Sequence, residues 1–342
     1  MNVASGAPLI GIWLEWRARR GDSLSEGLAR YLAAAALLAL VAGTGLGLLL
    51  GWLFWTPEYA RLWLGPLSYK LKWGLLELAF SLVLLAAVWL WRSRSTGGRG
   101  WLARSFLGLL ASTNLLYHFP VLFVIAGQLA DARNYGGPVI TAGAFRELMI
   151  ARETPALAVH FTLASLAVSG VLLLGYALRM ARRGARANGA TRDEVNAVAV
   201  WGGLWALVPS LAQLPVGLWV LLSLPGEMQN RLMGTEETST ALFCLSIFAA
   251  LWLMRELAGV AMGETERGPL VRSMVAMLVV VVLMTAMHQT ARRGGASKTA
   301  VQTISYVTHS EPPFERTENA RKHHASRRGY RFFRRDPGQP GF

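Results

Sequence analysis

The sequence is poor in cysteine and in charged residues. Cys244 is the only cysteine, which excludes a disulfide framework, a zinc or iron–sulfur centre held by several cysteines, and covalent haem attachment through Cys-x-x-Cys-His. Charged residues make up 16% of the 342 residues, and hydrophobic residues make up 53%. Because soluble domains carry about a quarter charged residues, this composition indicates an integral membrane protein.

Long apolar runs are the main feature of the chain. A hydrocarbon core of about 30 Å needs roughly 20 apolar residues of helix. Another apolar stretch, Pro8–Trp16, is too short to span alone. We therefore predict an all-α, polytopic membrane bundle of about seven transmembrane helices. The predicted spans are Tyr31–Trp55, Leu71–Trp91, Ser105–Ala130, Pro155–Arg179, Val195–Leu224, Ser239–Leu257 and Leu270–Thr290.

Basic residues predict the orientation of these spans. Lys and Arg concentrate before the first span, between the second and third, and after the fourth, which places these loops on the cytoplasmic side of a cell inner membrane. We expect residues 1–30 to be a cytoplasmic segment with the stub of a helix, and residues 31–290 to be the transmembrane bundle. With seven spans the tail lies on the outer side. Arg292 and Arg293 would then contradict the rule that basic residues lie on the cytoplasmic side.

The tail, residues 291–342, holds eleven Lys or Arg against four Asp or Glu. Nucleic-acid binding is one interpretation of such a basic tail. A disordered polybasic segment near anionic lipid is the interpretation that we favour. We therefore expect membrane lipid as a partner and no nucleic acid.

Ionisable residues inside a bilayer are costly and mark functional sites by default. His160 and His288 fall at the same predicted depth on two helices, so they could clamp a haem iron axially. His118 is a further candidate haem ligand, nearer the middle of the membrane and beside Pro120. The alternative for each histidine is a hydrogen bond from one helix to another.

Three further side chains in the spans are candidates. Met284 and Met287 could be axial ligands, although methionine is also common packing material in apolar helices. Glu77 could be a proton-relay carboxylate or an iron ligand, or a neutral carboxyl bonded to a neighbouring helix.

Two patterns predict irregular or close packing. Pro209, Gln213 and Pro215 in the fifth span predict a broken, internally hydrated helix, which is typical of a binding site. Glycines in the first span, from Gly43 to Gly51, predict that another helix approaches closely there.

Several motifs follow the order found in a known family. Residues 14–22 (LEWRARRGD), Leu28-Ala29-Arg30 and the glycines of the first span resemble the first connector and following helix of cytochrome bd-type quinol oxidase subunit I. Residues 140–148 (ITAGAFREL), followed by Pro155-Ala156, Val159-His160-Phe161, Ser169-Gly170 and Leu174-Gly175, are similar to that family's loop and haem-bearing helix. The resemblance covers roughly residues 9–180.

The resemblance implies that His160 is the ligand of a low-spin haem b. It ends before residues 284–288, so we expect His288, Met287 or Met284 opposite because of the position of these residues in the last span, and not because of the family. The family's first helix, with its haem-ligating histidine, is absent or truncated here, and the long quinol-binding loop with its Gly-Arg-Gln-Pro-Trp signature is missing. We therefore expect electron relay within a respiratory complex more than oxygen reduction.

The partners implied are a second membrane subunit or a cytochrome, and quinol. Two alternatives from other classes are a haem-free structural subunit of a membrane complex and a small-molecule transporter that uses the fifth span.

Overall fold

The computed structural model describes residues 1–94, 100–131, 137–184 and 191–293. Within these ranges the chain is all α, with no strand, as predicted. A π-helical turn, Arg231–Thr235, precedes the tenth helix. The helices are α1 Asn2–Ala18, α2 Ser23–Leu53, α3 Pro57–Leu64, α4 Ser68–Arg94, α5 Trp101–Asp131, α6 Ala142–Ile150, α7 Thr154–Gly184, α8 Arg192–Ser223, α9 Gly226–Asn230, α10 Glu237–Ala261 and α11 Arg267–Arg293.

Seven of these helices, α2, α4, α5, α7, α8, α10 and α11, are long and apolar enough to cross a membrane. Their outward surfaces carry large apolar side chains. Leu48, Trp52 and Phe248, for example, are 67%, 75% and 70% exposed. A water-soluble protein does not present so much contiguous apolar surface, so the chain is a multi-pass membrane protein.

The first span begins at Ser23, eight residues before the predicted Tyr31. Asp22 caps the helix, because its carboxylate accepts a hydrogen bond from the Ser25 backbone N–H at 3.2 Å and satisfies a donor of the first turn. Residues 23–30, predicted to be a cytoplasmic segment, are therefore part of the helix.

The apolar stub at the start of the sequence belongs to a longer helix, α1. It has 17 residues, which corresponds to about 25 Å at 1.5 Å per residue. Ala4, Ala7, Ile10 and Leu14 are all 0% exposed, because α1 packs against α2, α5 and α7. This helix therefore lies inside the bundle rather than beside it.

Close helix contacts do not occur at three of the first-span glycines. A Cβ added at Gly45, Gly47 or Gly51 would meet nothing within 4 Å, whereas one at Gly43 would lie 3.5 Å from the Met1 backbone nitrogen, an ordinary contact. Closer approaches occur in other helices, for example at Gly6, against the Ser165 carbonyl of α7, and at Gly170, against the backbone of α8. The prediction failed at those three positions because glycine spacing does not show which face of a helix turns toward its neighbours.

The prediction of a broken fifth span is also wrong. Helix α8 runs without interruption from Arg192 to Ser223 with Pro209 and Pro215 inside it. Each proline removes one backbone donor, but a transmembrane helix tolerates this when neighbouring groups satisfy the backbone.

Contacts between helix termini define two ends of the bundle. The basic end holds Glu15, Arg92 and Arg104, which are in contact, and the hydrogen bond between Thr265 and Asn196. The opposite end includes the hydrogen bond of 2.9 Å from Gln128 Nε2 to Glu153 Oε1. The described part of the predicted tail is Ala291–Arg293, the last residues of α11. The rest of the tail lies outside the described residues.

Candidate functional site

His160 lies on α7, six residues after the helix begins at Thr154. Its ring is largely buried. The Nδ1 atom is buried and has no hydrogen-bond partner among the described residues, and no hydrogen bond to Nε2 is present in that part of the chain either. A buried nitrogen without a partner costs free energy. Among the described residues, the ring therefore does not make the interhelical hydrogen bond that was the alternative for this histidine.

The polar contact nearest to the ring goes to the main chain instead. Gln213 Nε2 on α8 donates to the backbone oxygen of His160 at 3.3 Å. This bond ties α8 to α7 at the level of the histidine and leaves the imidazole nitrogens unused. Pro209 lies four residues before Gln213 and Pro215 two residues after it, so the amide that contacts the His160 main chain comes from the proline-containing part of α8.

The candidate second ligands lie on α11, which packs against α7. Met284, Met287 and His288 are all half-buried and precede Ala291, which is 2% exposed. The spacing of Met284, His288 and Ala291 places them along one face. His288 Nε2 is 3.5 Å from Arg292 Nη1, and no hydrogen bond joins His160 to these three side chains within the described ranges.

A polar layer at the opposite end was not found from the sequence. Gln128 Nε2 donates to Glu153 Oε1 at 2.9 Å and to Thr154 Oγ1 at 3.3 Å. The Arg292 guanidinium lies directly against Gly127 of α5, where a side chain would leave it no room. One feature of the sequence could have pointed to this layer. Arg292 contradicts the rule that basic residues lie on the cytoplasmic side, so a polar or close-packed environment for it could have been expected.

The backbone is strained beside this layer. Arg152 has a φ of 52°, a left-handed conformation that costs about 1–3 kcal/mol for such a residue. It precedes Glu153, which is 7% exposed, and its Nε lies 3.4 Å from Glu153 Oε2. The connection into the histidine-bearing helix α7 is therefore held by side-chain contacts.

Glu77 and His118 form a second intramembrane group. His118 Nε2 on α5 lies 3.7 Å from Glu77 Oε1 on α4, with side-chain exposures of 39% and 24%. Asn114 Nδ2 donates to the Glu77 backbone oxygen at 3.0 Å and to Ser81 Oγ at 2.8 Å, which fixes the two helices at this level. The structure thus brings His118 together with Glu77, not with His160.

Bare metal ions have no obvious site. Across the described ranges, no group of three or more His, Cys, Asp or Glu side chains is placed to hold an ion. Haem iron has different needs, because the macrocycle supplies four donors and the protein supplies only the axial ones. The His160 imidazole on α7, which has no hydrogen-bonding partner in the described ranges, is one possible axial donor. The thioether and imidazole side chains of α11, which packs against α7, are the others.

Together, the fold and these residues define a class: a multi-pass, all-α membrane protein whose His160 ring has no hydrogen-bonding partner among the described residues. No family model matches the chain, and no curated protein is significantly similar to it in sequence.

Proposed function

We propose that this chain is a b-type cytochrome-like subunit of a respiratory complex in the cell inner membrane, in which His160 is one axial ligand of haem b. The observation that carries this proposal is the His160 ring, whose nitrogens make no hydrogen bond within the described residues. A buried imidazole is retained at a cost unless something binds it, and axial ligation would supply that partner.

The donor set fits haem in its chemistry. A bound haem b would supply one-electron transfer. His160 would hold the iron from α7, and His288, Met287 or Met284 would hold it from α11. The helices around these residues are apolar, and axial-ligand identity and burial are two of the means by which a protein sets the reduction potential of a haem. The Gln213 bond to the His160 carbonyl would keep α7 and α8 in register at this level.

Glu77 is proposed as a proton-relay carboxylate. It lies inside the membrane-spanning part of α4 and touches His118, and both side chains are partly exposed on the outer surface of the bundle. A carboxylate and an imidazole in contact can accept and release protons. Such a pair on a lipid-facing surface suits exchange with a membrane-dissolved quinol or with a second subunit, so the complex would be a quinol-linked oxidoreductase.

The structure bears differently on the two alternative functions, a small-molecule transporter and a haem-free structural subunit. The transporter interpretation rested on a broken fifth span, and α8 is continuous, so no observation favours it. The haem-free structural subunit makes a clear opposite prediction, because it requires that removal of His160 change stability only.

The test is a reduced-minus-oxidised optical spectrum of the full chain, expressed with ample haem and its natural partners. We expect a low-spin b-type signal in the wild type that is lost or becomes high-spin in His160→Ala. His118→Ala is the matched control, because His118 already has Glu77 as a partner, and we expect it to keep the signal.

A colourless wild-type protein prepared in this way would remove the cytochrome proposal and leave the structural subunit. An unchanged spectrum in His160→Ala, with loss in His118→Ala, would move the ligand to α5.

A further inference from the structure

A buried ionic triad joins three helices at the basic end. Glu15 on α1 is 5% exposed, Arg92 on α4 is 8% exposed and Arg104 on α5 is 4% exposed. Arg104 donates two hydrogen bonds to the Glu15 carboxylate, from Nε to Oε1 at 2.7 Å and from Nη2 to Oε2 at 3.1 Å. Arg92 Nη2 lies 2.8 Å from the same Oε1.

The triad is not electrically neutral. Two guanidinium groups against one carboxylate leave one positive charge, and arginine does not lose its proton in proteins. The next charges near Arg92 are Glu26 and Arg30 of α2, and these already pair with each other at 3.4 Å. Burying an uncompensated charge costs several kcal/mol even after relaxation, and no further carboxylate among the described residues forms an ion pair with Arg92.

Two buried polar groups, one in the triad and one on the residue after Arg104, also lack partners among the described residues. Arg92 Nε and Ser105 Oγ are buried and make no hydrogen bond in the described part of the chain. Arg92 is 8% exposed and Ser105 is 9% exposed. An N–H of a guanidinium accepts nothing and can only donate. Its missing partner is therefore an acceptor.

We propose that this end of α4 and α5 binds an oxyanion of the phosphate class against Arg92 and Ser105. A phosphate oxygen accepts strongly from guanidinium N–H groups and would neutralise the buried positive charge. The anion comes either from the headgroup of an anionic phospholipid or from free inorganic phosphate. The site rests on residues that the haem proposal does not use, so either proposal can fail alone.

Because the site is buried, we expect a bound anion to dissociate slowly. Since the side chains that form it are at most 9% exposed, an anion can leave only when the helix ends separate locally. We therefore expect the anion to remain bound through purification in detergent and phosphate-free buffer.

The experiment is native mass spectrometry and phosphorus analysis of the purified full chain, followed by thermal unfolding with added inorganic phosphate or phosphatidylglycerol. We compare the wild type with Arg92→Gln and Ser105→Ala. The second variant removes only a hydroxyl that has no partner in the described chain, so it should fold. Arg30→Gln is the control, because it loses the same charge at the same end from an exposed side chain (46%).

We expect a phosphorus-containing adduct on the wild type and on Arg30→Gln. Retention should be about tenfold or more weaker in Arg92→Gln, and weaker in Ser105→Ala, as expected when charge-assisted hydrogen bonds are lost. An adduct of lipid mass identifies the headgroup as the source, and an adduct of phosphate mass identifies the free anion.

Two results would overturn the proposal. One is a wild type without an adduct that neither inorganic phosphate nor phosphatidylglycerol stabilises, which would leave water as the partner of Arg92. The other is equal retention in all four proteins, which would mean that the adduct is bound elsewhere.

Discussion

At the scale of single residues, the polar groups inside this bundle differ in how they are compensated. Glu15 has two arginines within 2.8 Å, and Glu77 has an imidazole at 3.7 Å. His160 has no hydrogen-bonding partner for its ring among the described residues. Because an uncompensated polar group is retained at a cost, these three residues should respond very differently to mutation.

Replacing Glu15 should be the most damaging of these changes. Glu15→Gln leaves two buried guanidinium groups without a carboxylate, which costs about 3–5 kcal/mol of unfolding free energy. Glu26→Gln is the matched control, because its ion pair with Arg30 is exposed, and the change should be about 0.5 kcal/mol or less. Thermal or denaturant unfolding in detergent measures both. Equal destabilisation by the two variants would show that the buried triad contributes no more to the free energy of unfolding than an exposed ion pair.

At the scale of helices, backbone contact at glycine holds α1 in place. An added Cβ at Gly6 would overlap the Ser165 carbonyl of α7, which is backbone and cannot turn away. We expect Gly6→Ala to destabilise the chain by about 1–3 kcal/mol. Gly45→Ala in α2 meets nothing within 4 Å and should be neutral or slightly stabilising, since alanine favours helix. The unfolding temperatures of the two variants provide the comparison, and a harmless Gly6→Ala would contradict the close packing.

The start of α2 should depend on pH through Asp22, which precedes the membrane-spanning segment. Burial alone would raise the pKa of Asp22, but hydrogen bonds from Ser25 and Arg17, and the charge of Arg17, outweigh it and lower the pKa. A pKa that is lower in the folded state stabilises the fold above the unfolded value of about 3.9. This contribution disappears as the pH falls through the folded-state value.

Asp22→Asn isolates this effect, because asparagine caps a helix about as well as aspartate but cannot pair with Arg17. The unfolding temperature of the wild type should exceed that of Asp22→Asn at pH 6, and the difference should shrink below about pH 4. A difference that stays constant down to pH 3 would rule out the carboxylate as its source.

At the scale of the whole molecule, the seven spans were predictable because long apolar runs leave few alternatives. The central place of α1 was not, since its apolar stretch, Pro8–Trp16, is too short to span alone and its burial depends on contacts with α2, α5 and α7. The Glu15 triad was missed for a similar reason: Glu15 and Arg104 are 89 positions apart, and no local pattern connects them.

The candidate site was predictable residue by residue but not in its contacts. His160, Glu77 and His118 stand out in the sequence because they are ionisable within apolar runs. Which of them has a partner depends on the rotation of each helix about its axis. That rotation brings His118 to Glu77, whereas the His160 ring meets no hydrogen-bonding partner in the part of the chain that the structure describes. The continuity of α8 through Pro209 and Pro215 depends likewise on its neighbours.

Orientation in the membrane is a prediction for the whole chain. With Cys244 replaced by serine, a cysteine at Asp193 should lie on the cytoplasmic side and a cysteine at Asn230 on the outer side. A membrane-impermeant maleimide should label the Asn230→Cys protein in intact cells and the Asp193→Cys protein only after permeabilisation. The reverse pattern would invert the topology.

The most direct test of the central claim is chemical rescue at His160. His160→Gly should lose the low-spin haem b signal, and added imidazole should restore it, because free imidazole can occupy the space and the coordination position of the missing side chain. His118→Gly should keep its signal without imidazole. A wild-type spectrum in His160→Gly before imidazole is added would contradict the assignment, as would a wild-type protein that carries no haem.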